Sequence, residues 1–371
     1  MNLAYIANVR LPTEKAHGIQ IMKMCEAFAR QGKRVTLLVP SRRNDLRQDP
    51  FDFYGVERIF EIKWLPSLDL VRFGFFNIGF FISAASFLMA AKIYVRKNSF
   101  DLIYSREQLA GLFLKKCILE IHKLSPRNVF FQKYIFKKAA KFIVLTNYLK
   151  EDLIKLGVSG KNILIAADAV DLKNFDISTS KNEARRKVGL PADKKIIMYT
   201  GSFLFYQWKG IDVLLKAAAL LPEDYLFVLI GGHPHEIEKI SSDYLLANVR
   251  ILPFIPHKII PYYLKSADVL VIPNKRGDVI SERYTSPLKL FEYMASGRPI
   301  ISSDLPSLRE ILTDQEAVFF TPDDERSLSN AIQKLIGDDN LQNELSQNAY
   351  AKASGYSWER RAVIIDAFIR L

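Results

Sequence analysis

Short apolar runs rich in β-branched residues alternate with segments of helix length along almost the whole chain. In the first half, this pattern predicts strands at 3–7, 34–40, 101–105, 117–122, 141–147 and 162–167, with a helix at about 18–30 after the first strand. In the second half it predicts strands at 195–201, 225–231, 249–254, 268–274, 298–304 and 317–321. Strands that alternate with helices in this way indicate βαβ units and parallel sheets.

The two series of strands indicate two domains. The second series begins after residues 176–191, a polar stretch that reads as a linker. A chain of 371 residues is long enough for two α/β cores. We therefore expect an α/β fold of two Rossmann-like, doubly wound parallel-sheet domains, over residues 1–176 and 190–355, that face each other across a cleft. Ligands of such sheets bind beyond the carboxyl ends of the strands.

The segment 73–94 is unusually apolar, and its length would allow a transmembrane helix. Against this, the strand predicted at 101–105 belongs to the same domain. A buried crossover helix and a helix that dips into a membrane interface are the other two interpretations. The interfacial interpretation is favoured by terminal basic residues and by phenylalanines, namely Arg72, Lys92, Arg96, Lys97, Phe73, Phe75, Phe76, Phe80 and Phe81.

The positive charge is concentrated in the first 150 residues. The whole chain has a net charge of +12, whereas residues 1–150 hold 25 Lys and Arg against 11 Asp and Glu and carry +14. Residues 151–371 hold 27 against 29, a net charge of −2. This asymmetry indicates that the first domain faces a polyanion, either nucleic acid or an anionic membrane surface, unless it is simply a basic soluble domain.

Two further features suggest a cytoplasmic location. Cys25 and Cys117 lie far apart without the spacing of a metal site, and so few cysteines fit a reducing compartment. The sequence opens directly on a predicted strand, without the basic and apolar stretches of a signal peptide.

The stretch YTSPLKLFEYMASGRP carries the strongest chemical signal. Ser286 is predicted as the N-cap of a helix, with Pro287 at the first helical position, where a missing N–H costs nothing. The free amides of Leu288 and Lys289 then form an anion site at the helix N-terminus. Glu292 lies about one turn further along the same face, where its carboxylate can accept both hydroxyls of a ribose whose diphosphate occupies the amides.

A second motif lies at the start of the second domain. Gly201 and Ser202 end its first predicted strand, and Lys209 and Gly210 open its first predicted helix. Gly201 lets the backbone approach a phosphate, and Lys209 supplies a positive charge at the strand-to-helix switch. The two motifs together predict a site for a diphosphate that carries a ribose.

These motifs resemble the retaining glycosyltransferases of family 4, which have the GT-B fold. The likeness covers nearly the whole chain and is most specific over residues 267–304. In the second half it is carried by Gly201-Ser202, Lys209-Gly210, LIGG from Leu229, ADVLVIP from Ala267 and SPLKLFEYMASG from Ser286. In the first half it is carried by Ala7-Asn8-Val9-Arg10, His17-Gly18, Glu120-Ile121-His122 and ADAVD from Ala167.

The resemblance implies roles for individual residues. Lys209 should contact the donor diphosphate, the amides of Leu288 and Lys289 should hold its oxygens, and Glu292 should bind the ribose. His122 should face the sugar from the first domain, so that His122, Lys209 and Glu292 form the catalytic set. The other implied residues are Gly201, Ser202, Phe254, Ile255, Ser286 and Pro287 at the donor, with 254–255 reading the base, and His17, Gly18 and Arg106 on the acceptor side. The last helix, 356–371, should cross back to the first domain.

The sequence departs from the family pattern at two places. The family often has an arginine directly after the glycine of the first loop, where Ser202 and Phe203 stand here, and this removes one cation for the phosphates. The family also has two glutamates eight positions apart. Glu292 is the second of them, but Tyr284 occupies the first position and Glu282 lies two residues away, which leaves open how the sugar hydroxyls of the donor are held.

The resemblance implies that the anomeric configuration of the donor is retained and that the co-substrate is a nucleotide sugar. The sequence contains no Asp-x-Asp motif, so we expect no essential metal and no other cofactor, and the helix terminus and Lys209 should neutralise the leaving diphosphate. The sequence shows no convincing carboxylate nucleophile. We therefore expect front-face attack, in which a donor phosphate oxygen takes the acceptor proton and His122 orients the sugar.

The acceptor is expected to be a glycan or a lipid-linked molecule of cell-envelope polysaccharide or glycolipid synthesis. The basic first domain should then dock on the anionic inner face of the cell membrane, with Lys133 and Lys137 on one helical face and Lys141 a turn further. A soluble acidic acceptor is the competing explanation of the charge.

Two other functions stay open. An epimerase of the same fold would act on the nucleotide sugar without an acceptor. A basic nucleic-acid-binding module would leave the donor motifs without a role, and we expect no nucleic-acid partner. Such a module would use interleaved cationic and aromatic residues, namely Lys133, Lys137, Lys138, Lys141, Phe130, Phe131, Tyr134 and Phe136.

Overall fold

The computed structural model describes residues 1–70, 77–125, 129–203 and 207–371, which divide into two compact units. The first unit comprises residues 1–167 and 358–371, and the second comprises residues 168–357. Arg72, Phe73, Phe75 and Phe76, which entered the membrane interpretation of the sequence, lie outside the described residues.

The described part of the first unit is built on a seven-stranded parallel sheet in the order β3-β2-β1-β4-β5-β6-β7. Its strands are β1 (Asn2–Ile6), β2 (Arg34–Ser41), β3 (Glu61–Pro66), β4 (Leu102–Ser105), β5 (Ile118–Ile121), β6 (Lys141–Val144) and β7 (Ile163–Ile165). Its helices are α1 (Ala16–Arg30), α2 (Pro50–Tyr54), α3 (Asn77–Lys97), α4 (Ala110–Phe113), α5 (Val129–Phe136), α6 (Asn147–Lys155) and, at the end of the chain, α16 (Trp358–Arg370).

Six of these seven strands are the ones that the apolar pattern predicts. The strand β3 is not predicted from the sequence because it lies at the edge of the sheet. Within it Leu65 is the buried residue, whereas Trp64 is largely exposed, so the segment lacks the continuous apolar run of a central parallel strand.

The second unit contains, in its described part, a six-stranded parallel sheet in the order β10-β9-β8-β11-β12-β13. Its strands are β8 (Lys195–Thr200), β9 (Tyr225–Gly232), β10 (Val249–Pro253), β11 (Val269–Ile272), β12 (Ile300–Ser303) and β13 (Val318–Phe320). Its helices are α7 (Leu172–Phe175), α8 (Lys181–Val188), α9 (Ile211–Ala219), α10 (Pro234–Asp243), α11 (Ile260–Ser266), α12 (Leu288–Ala295), α13 (Pro306–Arg309), α14 (Glu325–Ile336) and α15 (Asp339–Ala353).

All six strands of this unit match predicted strands, and the order of the sheet reverses between β8 and β11. Both sheets are therefore doubly wound, as the sequence predicts. In such a sheet the reversal point opens a crevice at the carboxyl ends of the strands. The residues that follow β8 begin with Gly201, which places the predicted glycine loop at this crevice.

The interpretation of residues 176–191 as a polar linker is wrong, because helix α8 occupies much of this stretch. Ser180 and Glu183 form a capping box that starts the helix. Arg185, buried on its inner face, donates to the carboxylate of Asp268 at 2.6 Å. Some of the polar residues of this segment therefore stabilise a helix, through its N-terminal cap and a buried ion pair. The average polarity of the segment does not show this.

Helix α3 connects β3 to β4 as a crossover and buries one face. It packs against β2, β3 and α4 through side chains that include Ala84, Phe87, Leu88 and Ala91. The opposite face exposes Ile78, Ile82, Met89 and Ile93, and Phe80 and Phe81 are also exposed near the start of the helix. In the described part of the chain, Ile78–Lys97 is the one stretch long and apolar enough to cross a membrane by length and composition, and about a third of it is buried. The segment is therefore a crossover helix with an apolar outer face.

Helix α5 is shorter than the basic run in the sequence suggests. It ends at Phe136, and Lys141 instead begins β6, so the prediction that Lys141 continues a helical face with Lys133 and Lys137 is wrong. The Lys141 ammonium donates to two carbonyl oxygens in the last turn of α16, at 2.6 and 3.3 Å. Cations are stabilised at the C-terminal ends of helices, which accounts for this position. Lys133 and Lys137 remain exposed.

Helix α16 joins the first unit through a buried ion pair as well as through apolar contacts. It packs on α1 and buries Trp358, Ala362 and Ile365. Arg361 Nη2 lies 3.0 Å from Oε1 of the buried Glu120 on β5. Burial alone would raise the pKa of Glu120, but the Arg361 guanidinium, together with His122, holds this pKa well below its ordinary value.

We expect Arg361→Met to lower the free energy of unfolding by about 3–5 kcal/mol, because it leaves the Glu120 carboxylate buried without its guanidinium. The matched control is Arg360→Met on the exposed side of the same helix, which should cost less than about 0.5 kcal/mol. Urea denaturation measures both. Since the pKa of Glu120 is lowered by folding, the stability from the pair is present above the unfolded-state pKa and is lost as the pH falls through the folded-state value.

A second variant separates loss of charge pairing from loss of packing. Adding Glu120→Gln to Arg361→Met removes the buried charge and should recover part of the lost stability. If the double variant is no more stable than the single one, or if Arg361→Met behaves like Arg360→Met, the pair does not stabilise this unit.

Candidate functional site

The N-terminus of α12 differs by one position from its prediction. Pro287, with ψ 131°, is the N-cap, and the helix starts at Leu288. Ser286 is not the N-cap, because its hydroxyl accepts a hydrogen bond from the amide of Asp168 at 3.1 Å. The first helical amides still belong to Leu288 and Lys289, and amides at these positions have no acceptor within their own helix. The helix therefore keeps two N–H groups for an anion, as the motif predicts.

The backbones at the carboxyl ends of β8 and β9 lie unusually close to each other. Gly201 has φ +131° and Gly231 has φ +116°, a region that favours glycine. A Cβ atom on Gly231 would lie 2.8 Å from the carbonyl oxygen of Gly201. The two glycines thus allow two strand ends to approach one another beside the predicted phosphate position.

Lys209 reaches back to the glycine loop. Its Nζ donates to Ser202 Oγ at 2.6 Å, and burial lowers its pKa to about 8. The following Gly210 has φ +68° and is the N-cap of α9, where a Cβ would lie only 1.8 Å from the carbonyl oxygen of Pro273. The glycine therefore holds Lys209 at the strand-to-helix switch, beside Ser202.

Glu292 pairs with a histidine that the sequence analysis does not identify. Oε1 of Glu292 lies 2.7 Å from Nε2 of His257, and the histidine ring packs edge-on against Phe175. Phe254 and Ile255 occupy the loop between β10 and the turn that begins at His257, and both are half-buried. The structure thus connects the segment predicted to read the base with the carboxylate predicted to bind the ribose.

The glutamate that the family pattern has before Glu292 has no substitute at this site. Tyr284 is buried at the end of a π-helical turn, Ile280–Tyr284. The carboxylate of Glu282 accepts a hydrogen bond from the amide of Gly277 at 2.7 Å, within its own loop.

In the first unit, His122 follows β5 and has both ring nitrogens engaged. Nε2 lies 2.7 Å from Oε1 of Glu120 and 3.0 Å from Nε of Arg106, and Nδ1 lies 3.0 Å from Nη2 of Arg106. The Arg106 guanidinium therefore lies against both ring nitrogens, with the Glu120 carboxylate at one of them. Burial and then the charge of Arg106 lower the pKa of His122 to about 4. This arrangement suits an orienting group better than a general base.

The predicted acceptor-side residues lie next to this histidine. Arg106 Nη1 donates to the carbonyl oxygen of His17 at 3.3 Å, and burial lowers the pKa of His17 to about 3. Gly18 lies in the first turn of α1, where a Cβ would be 2.1 Å from the hydroxyl oxygen of Tyr54. Packing against Tyr54 thus requires glycine at this position, apart from any role toward a ligand.

The predicted residues form one cluster in each unit. The second unit groups Gly201, Ser202 and Lys209 with the start of α12, and it groups Glu292 with the loop 254–255. The first unit groups His17, Arg106 and His122. In the described ranges, no set of three or more His, Cys, Asp or Glu side chains is arranged to hold a metal ion.

Two family models match consecutive parts of the chain. The model described as Glycosyltransferase Family 4 matches residues 18–174, and the model described as Glycosyl transferases group 1 matches residues 180–352. Together they cover both clusters except for His17.

Curated relatives carry related names. A D-inositol 3-phosphate glycosyltransferase of Xylanimonas cellulosilytica is 26% identical over 233 residues, which are 59% of this chain and 54% of the relative. A phosphatidyl-myo-inositol mannosyltransferase of Mycobacterium leprae is 26% identical over 198 residues, which are 52% of this chain and 51% of the relative. The chain spans about half the length of the curated relatives it matches.

Solved structures resemble the chain over its whole length. Sucrose-phosphate synthase of Thermosynechococcus elongatus has a TM-score of 0.79 and 21% identity, with 100% of this chain and 98% of that one covered. The Anabaena protein HepE, solved in complex with UDP-glucose, has a TM-score of 0.79 and 15% identity, with 100% and 99% covered. At these identities the likeness shows the fold alone. From the two doubly wound sheets and the two family matches, we conclude that this chain belongs to the family 4 glycosyltransferases and has the GT-B fold.

Proposed function

We propose that this protein is a retaining glycosyltransferase that moves a sugar from a nucleotide-diphosphate donor to a glycan or a lipid-linked acceptor. The observation that carries the proposal is the strand-to-helix switch after β8, where Lys209 donates to Ser202, together with the free first amides of α12, those of Leu288 and Lys289. Helix N-termini and lysines are common binding groups for phosphates. Glu292 supplies a carboxylate one turn further, at the distance expected for the ribose.

The same groups account for the chemistry. As the bond between the sugar and the diphosphate breaks, negative charge grows on the leaving phosphate, and fixed amides and ammonium groups stabilise it. In the proposed front-face reaction, the acceptor oxygen bonds to the anomeric carbon on the side that the diphosphate leaves. The acceptor proton passes to a phosphate oxygen, so no protein base is required.

His122 and its neighbours are proposed to orient the sugar. An imidazole held by Glu120 and Arg106 keeps one fixed position, which suits hydrogen bonding to a sugar hydroxyl. Arg106 and His17 are proposed to contribute to the acceptor side. The relatives named for inositol phosphate and phosphatidylinositol, and HepE with its UDP-glucose, support a nucleotide sugar as donor and a polar envelope component as acceptor.

The first prediction about function concerns Glu292. We expect Glu292→Ala to lower the rate of sugar transfer at least about 100-fold, because two hydrogen bonds from ribose hydroxyls to a carboxylate are lost. The assay offers a panel of UDP- and GDP-sugars with envelope glycolipid acceptors. Glu344→Ala, on the exposed side of α15, is the matched control and should leave the rate unchanged. Transfer within a few-fold of wild type in Glu292→Ala would show that this carboxylate does not hold the ribose.

The same assay separates transfer from epimerisation. A transferase consumes the donor only when an acceptor is present, and the amount of donor consumed equals the amount of glycosylated product formed. Conversion of the donor to an isomeric nucleotide sugar without any acceptor would replace the proposed function with an epimerase.

The second prediction concerns metal dependence. The sequence has no Asp-x-Asp motif, and the amides and lysines of this site can neutralise the diphosphate themselves. We therefore expect transfer to continue at nearly the same rate in excess EDTA. A complete loss that Mg²⁺ or Mn²⁺ restores would contradict this part of the proposal.

We also propose that the first unit binds peripherally to the anionic inner face of the cell membrane. Its first 150 residues carry +14, and each Lys or Arg near an anionic leaflet contributes about 1 kcal/mol. The exposed apolar face of α3 and the exposed end of α5 supply groups for the interface, and Phe130 on α5 is 91% exposed. Lys133 lies on the same short helix as Phe130, and Lys137 follows directly after the end of this helix.

The third prediction tests this binding by co-sedimentation with vesicles of increasing anionic lipid content. We expect binding that rises with anionic lipid and falls with salt. Phe130→Ser combined with Lys133→Glu should weaken it about tenfold or more. Leu245→Ser is the control, because Leu245 is equally exposed but lies in the near-neutral second unit. Vesicle binding that does not depend on the anionic lipid content, or binding to RNA instead of vesicles, would contradict the membrane proposal.

A further inference from the structure

Lys289 presents a buried cation that the sequence analysis does not use. Its amide is part of the predicted anion site, but its side chain turns inward, and Nζ lies 3.6 Å from the centre of the Tyr199 ring. Among the residues that the structure describes, this buried Nζ has no hydrogen-bond partner. A charged group in this position costs free energy unless something pairs with it.

The ammonium lies directly at the glycine loop. A Cβ atom on Gly201 would be 2.8 Å from Lys289 Nζ, so only glycine leaves this position open. Ser202, the next residue, is bonded to the ammonium of Lys209. Two lysines therefore converge on one short loop, Lys209 from just before α9 and Lys289 from the first turn of α12.

The two cations also act on each other. Burial and then the charge of Lys209 lower the pKa of Lys289 well below its ordinary value. Two like charges at one loop repel in the absence of an anion, and a group with two or more negative charges between them removes the repulsion. A diphosphate has this property, and it would also meet the free amides at the start of α12.

We propose that the Lys289 ammonium binds the diphosphate of the donor and serves as the second phosphate cation of this site. This inference rests on the proposed function. It also accounts for Ser202 and Phe203, which stand where the family often has an arginine. Lys289 on α12 then supplies the positive charge that this arginine would bring to the phosphates. Lys289 is thus a binding residue through its side chain as well as through its amide.

The test uses Lys289→Met, which keeps most of the length of the unbranched side chain but removes the amino group. Calorimetry measures the affinities of UDP, GDP, UMP, GMP and the free nucleosides for the intact chain. Of UDP and GDP, the one that wild type binds more tightly should bind the variant about 10- to 100-fold more weakly. The affinity for the corresponding free nucleoside should not change. Lys334→Met, on the exposed side of α14, is the control and should bind like wild type.

A stability measurement separates a binding role from a structural one. Without ligand, Lys289→Met should be at least as stable as wild type, because it removes a buried amino group that has no hydrogen-bond partner among the described residues. A variant that melts well below wild type and binds the diphosphate like wild type would overturn the inference. Failure of wild type itself to bind any nucleoside diphosphate would instead refute the proposed function.

Proton uptake gives an independent readout. Binding at about pH 8.5, in buffers of different ionisation enthalpy, reports protons taken up by the protein. Burial and the charge of Lys209 lower the pKa of Lys289, and the charge of Glu292 opposes this shift. A bound diphosphate should raise this pKa, so wild type should take up more protons on binding than Lys289→Met. Equal uptake by the two proteins would show that Lys289 does not pair with the diphosphate.

Discussion

The candidate donor site depends on one constraint, which is that two lysines and the start of a helix converge on a glycine loop. Lys209 donates to Ser202 in the loop that begins at Gly201, Lys289 Nζ lies beside Gly201, and the first amides of α12 add partial positive charge. The carboxylate of Glu292, one turn further along α12, is paired with His257. Positive groups held this close together destabilise the empty site. An anion that binds between them removes this destabilisation and so stabilises the folded protein.

The fold could be predicted to a large extent because parallel strands are buried on both faces and leave continuous apolar runs. All strands of the second sheet and six of the first were visible in this way. The edge strand β3 has too little apolar surface to give this signal. Helix α8 is not predicted from the sequence because its composition is polar. It is stabilised by the Ser180–Glu183 capping box and by the ion pair of Arg185 with Asp268, more than eighty residues further along the chain.

The candidate site could be predicted where its chemistry lies in the backbone of one segment. The helix start at Leu288 and the glycines of the β8 loop carry local signals that position and residue type reveal. The direction of a long side chain does not show in a sequence. Lys289 was expected to contribute its amide only, and the pairs of Glu292 with His257 and of Glu120 with Arg361 join residues distant in the chain. These contacts depend on the packing of the whole unit.

The most direct test of this account is a crystal structure of the protein with a nucleoside diphosphate. The account predicts that diphosphate oxygens lie within about 3 Å of the amides of Leu288 and Lys289, with the ribose hydroxyls on the carboxylate of Glu292. A diphosphate bound away from the start of α12, or a ribose that does not meet Glu292, would contradict it.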